Sequence, residues 1–261
     1  MSTSFLHSFQ SEWLKTRRSL AAWLVIIGGF FLPFIMLVGR TVYHEKTSAE
    51  STSPLFWENL AGQCWQFMAL FLLPMGVILA TSLITQIEFR NNAWKQVHTT
   101  PQHFYTLFWS KLMVIMVMVV QFFILFNIGI YLAGAVPALL LGTVDYPSQP
   151  FPFTYMLKTS GRFMLDILPV VGLQYLISLQ FKNFFVPLGV GIAMLMLSLV
   201  MVEWKYGYIV PYTYSPYNFF ELRGAAMSGS KDVNIHWLAL GYFAFFTVLS
   251  FVLYISKKEK G

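Results

Sequence analysis

Charged residues are scarce in this sequence. Only 11% of its 261 residues are Asp, Glu, Lys or Arg, against roughly 25% in soluble domains. So few charges cannot cover the surface of a water-soluble fold of this length. Cysteine is nearly missing too. Cys64 stands alone, which excludes an intrachain disulfide and a cysteine-built metal site; it reads as a small apolar residue in or near a helix. No Gly-Lys dipeptide occurs, so the phosphate-cradling Gly-x-x-x-x-Gly-Lys-Ser/Thr loop is missing. Any ATP hydrolysis therefore belongs to another polypeptide. Neither His-Glu-x-x-His nor Gly-x-Ser-x-Gly is found, which argues against an intramembrane hydrolase. His7, His44, His98, His103 and His236 offer no mid-span pair for haem. There is no internal repeat of the kind that builds many carriers, and no low-complexity linker. Residues 1–261 read as one domain.

What is abundant is apolar: 57% of the chain is hydrophobic and 18% aromatic. These residues fall in long blocks rather than alternating ten-residue segments, which excludes a membrane β-barrel. About 20 helical residues cross a hydrocarbon core, and backbone groups in lipid must pair within the segment. The fold class expected is an all-α integral membrane protein. Six spans are expected: Leu20–Gly39, Gln63–Gln86, Leu112–Val136, Gly161–Gln180, Phe184–Val202 and His236–Ser256. Pro33, Pro74 and Pro169 lie within them and predict local kinks. Met1–Arg18 is followed by a spanning block without a small-residue cleavage site, so it is not read as a cleaved signal.

The net charge of +6 follows a membrane pattern rather than a nucleic-acid one. With the N-terminus inside, the cytoplasmic pieces 1–19, 87–111, 181–183 and 257–261 hold ten Lys or Arg in 52 residues. The external loops 40–62, 137–160 and 203–235 hold six in 80. That asymmetry gives an N-in, C-in orientation.

Four segments are candidates for function. Ser4–Arg18 reads as an amphipathic interfacial helix, with Phe5, Phe9 and Trp13 as its stripe and Glu12, Lys15 and Arg18 turned away; it is either an anchor or a lever to a cytoplasmic partner. The loop between the second and third spans carries Glu88, Arg90, Trp94 and Lys95 before Thr99-Thr100-Pro101 and Lys111. Residues 86–98 can form a short helix there, stopped before Pro101. Its lone Trp between charges suits either docking into a pocket on another protein or anchoring at headgroup level. The external segment 203–235 is rich in tyrosine, with Trp204, Tyr206, Tyr208, Tyr212, Tyr214 and Tyr217, and is either an aromatic belt or an outer gate. Lys158, Arg162 and Asp166 share a helix face. An intrahelical Arg162–Asp166 ion pair is the favoured reading and a substrate-lining role for Asp166 the alternative. Gln121 and Asn127 either bond between helices or line the same path.

The amphipathic start, the six spans and the loop order acidic-x-Arg, Trp-Lys, Thr-Pro, Lys resemble the ABC-type-2 permeases, the membrane subunits of ATP-driven exporters. The wording from Glu88 to Lys95 is closest to permeases of lantibiotic-protection and bacitracin-type exporters. This resemblance implies that Phe5, Phe9 and Trp13 belong to an elbow helix and that Glu88, Arg90, Trp94 and Lys95 belong to a coupling helix. It implies a re-entrant hairpin within 203–235. It also implies ABC ATPase subunits as partners, with ATP and Mg on them and no cofactor on this chain. A second identical or related permease, an amphipathic cargo and a bacterial inner membrane complete the expectation. The competing class is a stand-alone ion-coupled carrier or membrane enzyme, which needs an ionisable group near mid-bilayer.

Overall fold

The computed structural model describes residues 2–43, 48, 50–90, 104–141, 144–225, 227 and 233–258. Among them the fold is helical and contains no strand. In chain order the elements are α1 (Ser2–Arg17), α2 (Leu20–Val42), α3 (Phe56–Phe67), a π-helical turn (Met68–Leu72), α4 (Leu73–Arg90), α5 (Phe104–Leu141), α6 (Phe153–Gln180) and α7 (Phe185–Met201). Two 3-10 turns follow (Gly207–Ile209 and Pro211–Thr213), then α8 (Tyr214–Leu222) and α9 (Ile235–Lys258).

Five helical stretches are long and apolar enough to cross a membrane: Leu20–Val42, Phe56–Ile87, Tyr105–Leu141, Phe153–Gln180 and Ile235–Ser256. The segment expected as a span over 184–202 is a shorter apolar helix, Phe185–Met201, of 17 residues. Its length is about 25 Å at 1.5 Å per residue, close to the lower limit for crossing hydrocarbon. Large apolar side chains including Trp23, Ile27, Phe31, Phe34, Phe245 and Val248 are exposed on the bundle surface. That outward apolar cover suits lipid as the surrounding solvent.

The helices form two close pairs, α2 with α5 and α6 with α9, and α4 packs against α2, α5, α6 and α7. Small residues set these distances, as lipid supplies little driving force between helices. A Cβ on Gly129 of α5 would lie 2.8 Å from Pro33 Cβ on α2. One on Gly172 of α6 would lie 3.2 Å from Phe246 Cβ on α9. α2 and α6 run unbroken through Pro33 and Pro169. The π turn, in contrast, ends two residues before Pro74, which has no N–H to offer the carbonyl four residues back. A wider turn there absorbs the interruption without ending the helix.

Both chain ends of the bundle lie together. α1 packs on the start of α5, and Phe108 near that start meets Phe251 and Tyr254 of α9 at 5.2 and 5.7 Å. At the same end Gln86 Nε2, late in α4, donates to the Phe181 carbonyl at 3.1 Å. This places α1, the end of α4, the start of α5, the α6–α7 turn and the end of α9 at one end.

α7 is held through a glycine. Gln174 Nε2 of α6 donates to the Pro187 carbonyl at 3.1 Å, and a Cβ on Gly191 would collide with that amide and with Ile78 of α4. Gly189, two residues earlier, has nothing nearby. Gly191→Val is therefore expected to lower stability by about 1–3 kcal/mol through overpacking. Gly189→Ala serves as the neutral control on the same helix. Thermal unfolding of the detergent-purified variants checks the contrast.

Candidate functional site

The end of the bundle carrying α1 is built around one charged group. Ser8, Glu12 and Thr16 recur every four residues and form the buried face of α1, while Phe5, Phe9 and Trp13 are half-buried beside it. Glu12 was expected to point away from the packed stripe; it is instead the centre of the contact. Its Oε2 accepts from Lys111 Nζ of α5 at 2.7 Å and its Oε1 from Lys15 Nζ at 2.6 Å. The Glu12 and Lys111 side chains are each only 4% exposed. The physical reason for the inversion is that two ammonium groups neutralise the carboxylate where it enters the protein. Helical periodicity within α1 carries no trace of a lysine 99 residues away.

Glu88 and Arg90 fall in the last turn of α4, at this same end; their side chains, and the whole of Trp94 and Lys95, lie outside the described residues. Residues 91–103 join α4 to α5, which begins seven residues before Lys111.

A second polar node lies deeper. Asp166 is fully buried on α6, and its Oδ1 accepts from His236 Nδ1, at the start of α9, at 2.7 Å. With the carboxylate ionised it can only accept, and Nδ1 then carries the proton. The expected Arg162–Asp166 pair is not formed: Arg162 and Lys158 are exposed, whereas Asp166 turns into the α6–α8–α9 junction. Inward rotation separates the two side chains despite their one-turn spacing, and the histidine makes up for the lost cation. Asn218 of α8 lies beside Asp166 without closing a hydrogen bond, so Asp166 Oδ2 and both Asn218 amide atoms stay unmatched. Sequence reasoning misses His236 because no second histidine accompanies it; its position at a span boundary is the one signal the sequence offers.

The other two residues expected on the path do not join this node. Asn127 Nδ2 of α5 donates to Ser160 Oγ of α6 at 2.8 Å and to the Phe123 carbonyl at 2.7 Å. It lines an apolar cavity of about 460 Å³ with Phe123, Tyr131, Phe153 and Met164. Gln121 is half-buried on α5 and takes part in neither cluster.

The tyrosine-rich segment divides. Trp204 and Tyr206 are exposed, while Tyr212, Tyr214 and Tyr217 are buried against α6, α7 and α9. Tyr214 Oη donates to the Tyr208 carbonyl at 2.8 Å. Burial pushes the Tyr212 and Tyr214 phenols well above the usual range, so both stay neutral. An aromatic belt accounts only for the exposed half of this segment.

An apolar exterior, helices of spanning length and charges kept in pairs define a multi-pass helical membrane protein. The sequence profile described as ABC-2 family transporter protein matches residues 8–200, well over half of the chain. The chain belongs to that family and is an ABC-2-type permease. No curated protein and no solved structure matches it. Permeases of this family are membrane subunits that do not themselves hydrolyse ATP.

Four variants test the polar contacts. Burial opposes ionisation of Glu12, but Lys111 and Lys15 outweigh it and hold the carboxyl below its ordinary value of 4.5. A depressed carboxyl contributes stability above its unfolded pKa and loses it as pH falls through the folded one. Glu12→Gln is expected to cost about 1–3 kcal/mol near neutral pH, because Lys111 and Lys15 both lose a charge-assisted bond to that carboxylate. Its deficit against wild type should vanish on acidification below 4.5, and Glu12→Gln with Lys111→Met should recover most of it. Unfolding followed across pH checks all three outcomes. At the deeper node Asp166→Leu strands the His236 N–H and should cost about 1–3 kcal/mol, whereas Asp166→Asn retains an oxygen acceptor and should cost less. Thermal melts of the pair decide it.

Proposed function

We propose that this chain is the membrane-embedded half of an ATP-driven exporter. It crosses the membrane six times, N-in and C-in, with α7 as the short fifth crossing and the aromatic stretch 203–222 forming a hairpin that dips back into the protein. Residues 1–261 act as one permease domain. Two copies, or one copy and a related partner, enclose the path. ABC ATPase subunits, which carry the ATP and Mg, dock on the cytoplasmic end.

The observation that carries this reading is the buried Glu12–Lys111 pair. It fastens α1 to α5 shortly after residues 91–103, so a push on that segment moves α5 and α1 together. Rigid-body movement of packed helices is the usual form of such transmission. In this reading Phe5, Phe9 and Trp13 seat α1 as an elbow at the lipid interface. Glu88, Arg90, Trp94 and Lys95 form the coupling surface, with Trp94 as its anchor.

The cargo class is amphipathic: an antimicrobial peptide of the lantibiotic kind, a drug or a lipid-linked molecule, moved outward across a bacterial plasma membrane. The apolar cavity beside Asn127 and the Asp166–His236 node supply the mixed apolar and polar surface such a cargo needs.

Co-purification of the tagged chain with its nucleotide-hydrolysing partner tests the assignment. Trp94→Ala is expected to weaken that association by about thirty-fold, the loss of one hot-spot aromatic of about 2 kcal/mol, and Lys95→Glu to act in the same direction. Unchanged association and unchanged stimulated ATPase in both variants would remove the docking role.

A further inference from the structure

At the end of the bundle remote from α1, two arginines converge on one cavity of about 290 Å³. The cavity is lined by Arg40, Glu50, Ser53, Asn59, Gln63 and Arg223, over a floor of Phe56 and Leu60. Each arginine is positioned by a distinct device. Arg40 closes the last turn of α2, and its side chain is 9% exposed. Its guanidinium stacks over the Phe56 ring at 4.5 Å and donates through Nη2 to Ser51 Oγ at 3.2 Å. Arg223 follows α8, where Gly224 takes φ +73° and ends the helix. One turn after Phe219, Arg223 lies over that ring at 5.9 Å. Its guanidinium then lies against Gly62 of α3, in space that a Cβ would occupy.

The carboxylate facing this cavity is a weak partner. Glu50 Oε2 stands 3.5 Å from Arg40 Nη1, and its side chain is 63% exposed. A well-made bond between guanidinium and oxyanion spans about 2.7–2.9 Å. Arg223 forms no ion pair among the described residues. Among the described residues the cavity therefore holds two planar forks of donors, two amides one helical turn apart at Asn59 and Gln63, one hydroxyl, and one carboxylate, that of Glu50. Arginine forks match oxygens of phosphate in pairs, and the aromatic floor fixes their planes.

We propose that this two-arginine cavity is a binding site for a phosphate-class oxyanion. In the N-in reading above it opens to the outer face, and only that placement rests on the proposed function; the site itself does not. Glu50 then acts as a tethered competitor, covering Arg40 until a more highly charged group displaces it.

Inorganic phosphate titrated calorimetrically into the full chain in phosphatidylcholine nanodiscs is the direct test. Saturable binding is expected. Arg223→Gln, an exposed position that leaves the bundle intact, should weaken it by about ten-fold or more, as should Arg40→Gln. Gly62→Val keeps both arginines but evicts Arg223 from its seat, and should weaken binding similarly. Glu50→Gln should tighten it. A second set of discs containing phosphatidate separates the two sources of the ligand. Loss of phosphate binding there assigns a lipid headgroup, and undisturbed binding assigns a soluble or cargo-borne phosphate. Absence of saturable binding in wild type, or equal affinity in wild type and the Arg223→Gln and Arg40→Gln variants, overturns the proposal. No ATPase is present in this experiment, so its failure leaves the exporter assignment standing. Failure of the Trp94 experiment likewise leaves this site standing.

Discussion

An ion in a medium of low dielectric must find a partner or give up its charge, and that requirement shapes the polar contacts of this bundle. A lone carboxylate or ammonium group away from water costs several kcal/mol even after the protein relaxes. The chain meets the requirement mainly with cross-links between helices, the Lys15–Glu12 contact within α1 being added to one of them. Glu12 on α1 takes Lys111 on α5, and Asp166 on α6 takes His236 on α9. Arg40 on α2 leans on Phe56 and Ser51. Each pairing fixes a distance between two apolar rods that dispersion forces alone would leave loosely specified.

These cross-links also divide the molecule by depth. One end is tied by the Glu12–Lys111 pair and by the ring cluster of Phe108, Phe251 and Tyr254. The other end is tied by Trp57, whose Nε1 donates to the Gln149 carbonyl at 2.8 Å while its ring stacks on Tyr131. Gly134 leaves room for that indole. Between them α4 runs through the centre, touching four other helices. A displacement at either end is therefore passed on through packed side chains rather than dissipated in slack.

Much of this was readable from the amino-acid order and some of it was not. The apolar blocks mark five spanning helices, because hydropathy reports residues that prefer lipid. It does not report where a helix stops. The second stretch begins at Phe56 rather than Gln63, the third at Phe104 rather than Leu112, and the fourth at Phe153 rather than Gly161. In each case the added turns carry polar or charged residues that protein contacts or water can satisfy, Lys111 most clearly. The partners of Asp166 and Glu12 lie 70 and 99 residues away. No local pattern encodes such separations, so a one-turn neighbour, Arg162, looked like the natural cation for Asp166. The side chains expected to meet an ATPase fall where the structure gives no description, so their role still rests on their order in the sequence.

The wide turn over Met68–Leu72 has an effect on the whole second span. It inserts extra arc between α3 and α4, so the two halves of one rod present independently aimed faces. α3 directs Trp57 and Trp65 into the protein and Asn59 and Gln63 toward the two-arginine cavity, while α4 turns its own face to the centre of the bundle. Because one α-helical residue subtends about 100°, excising a single residue from this turn would swing α3 around its axis like a key. The tryptophans would leave their slots, and the amides would no longer look into the cavity, although every residue of α3 would be unchanged.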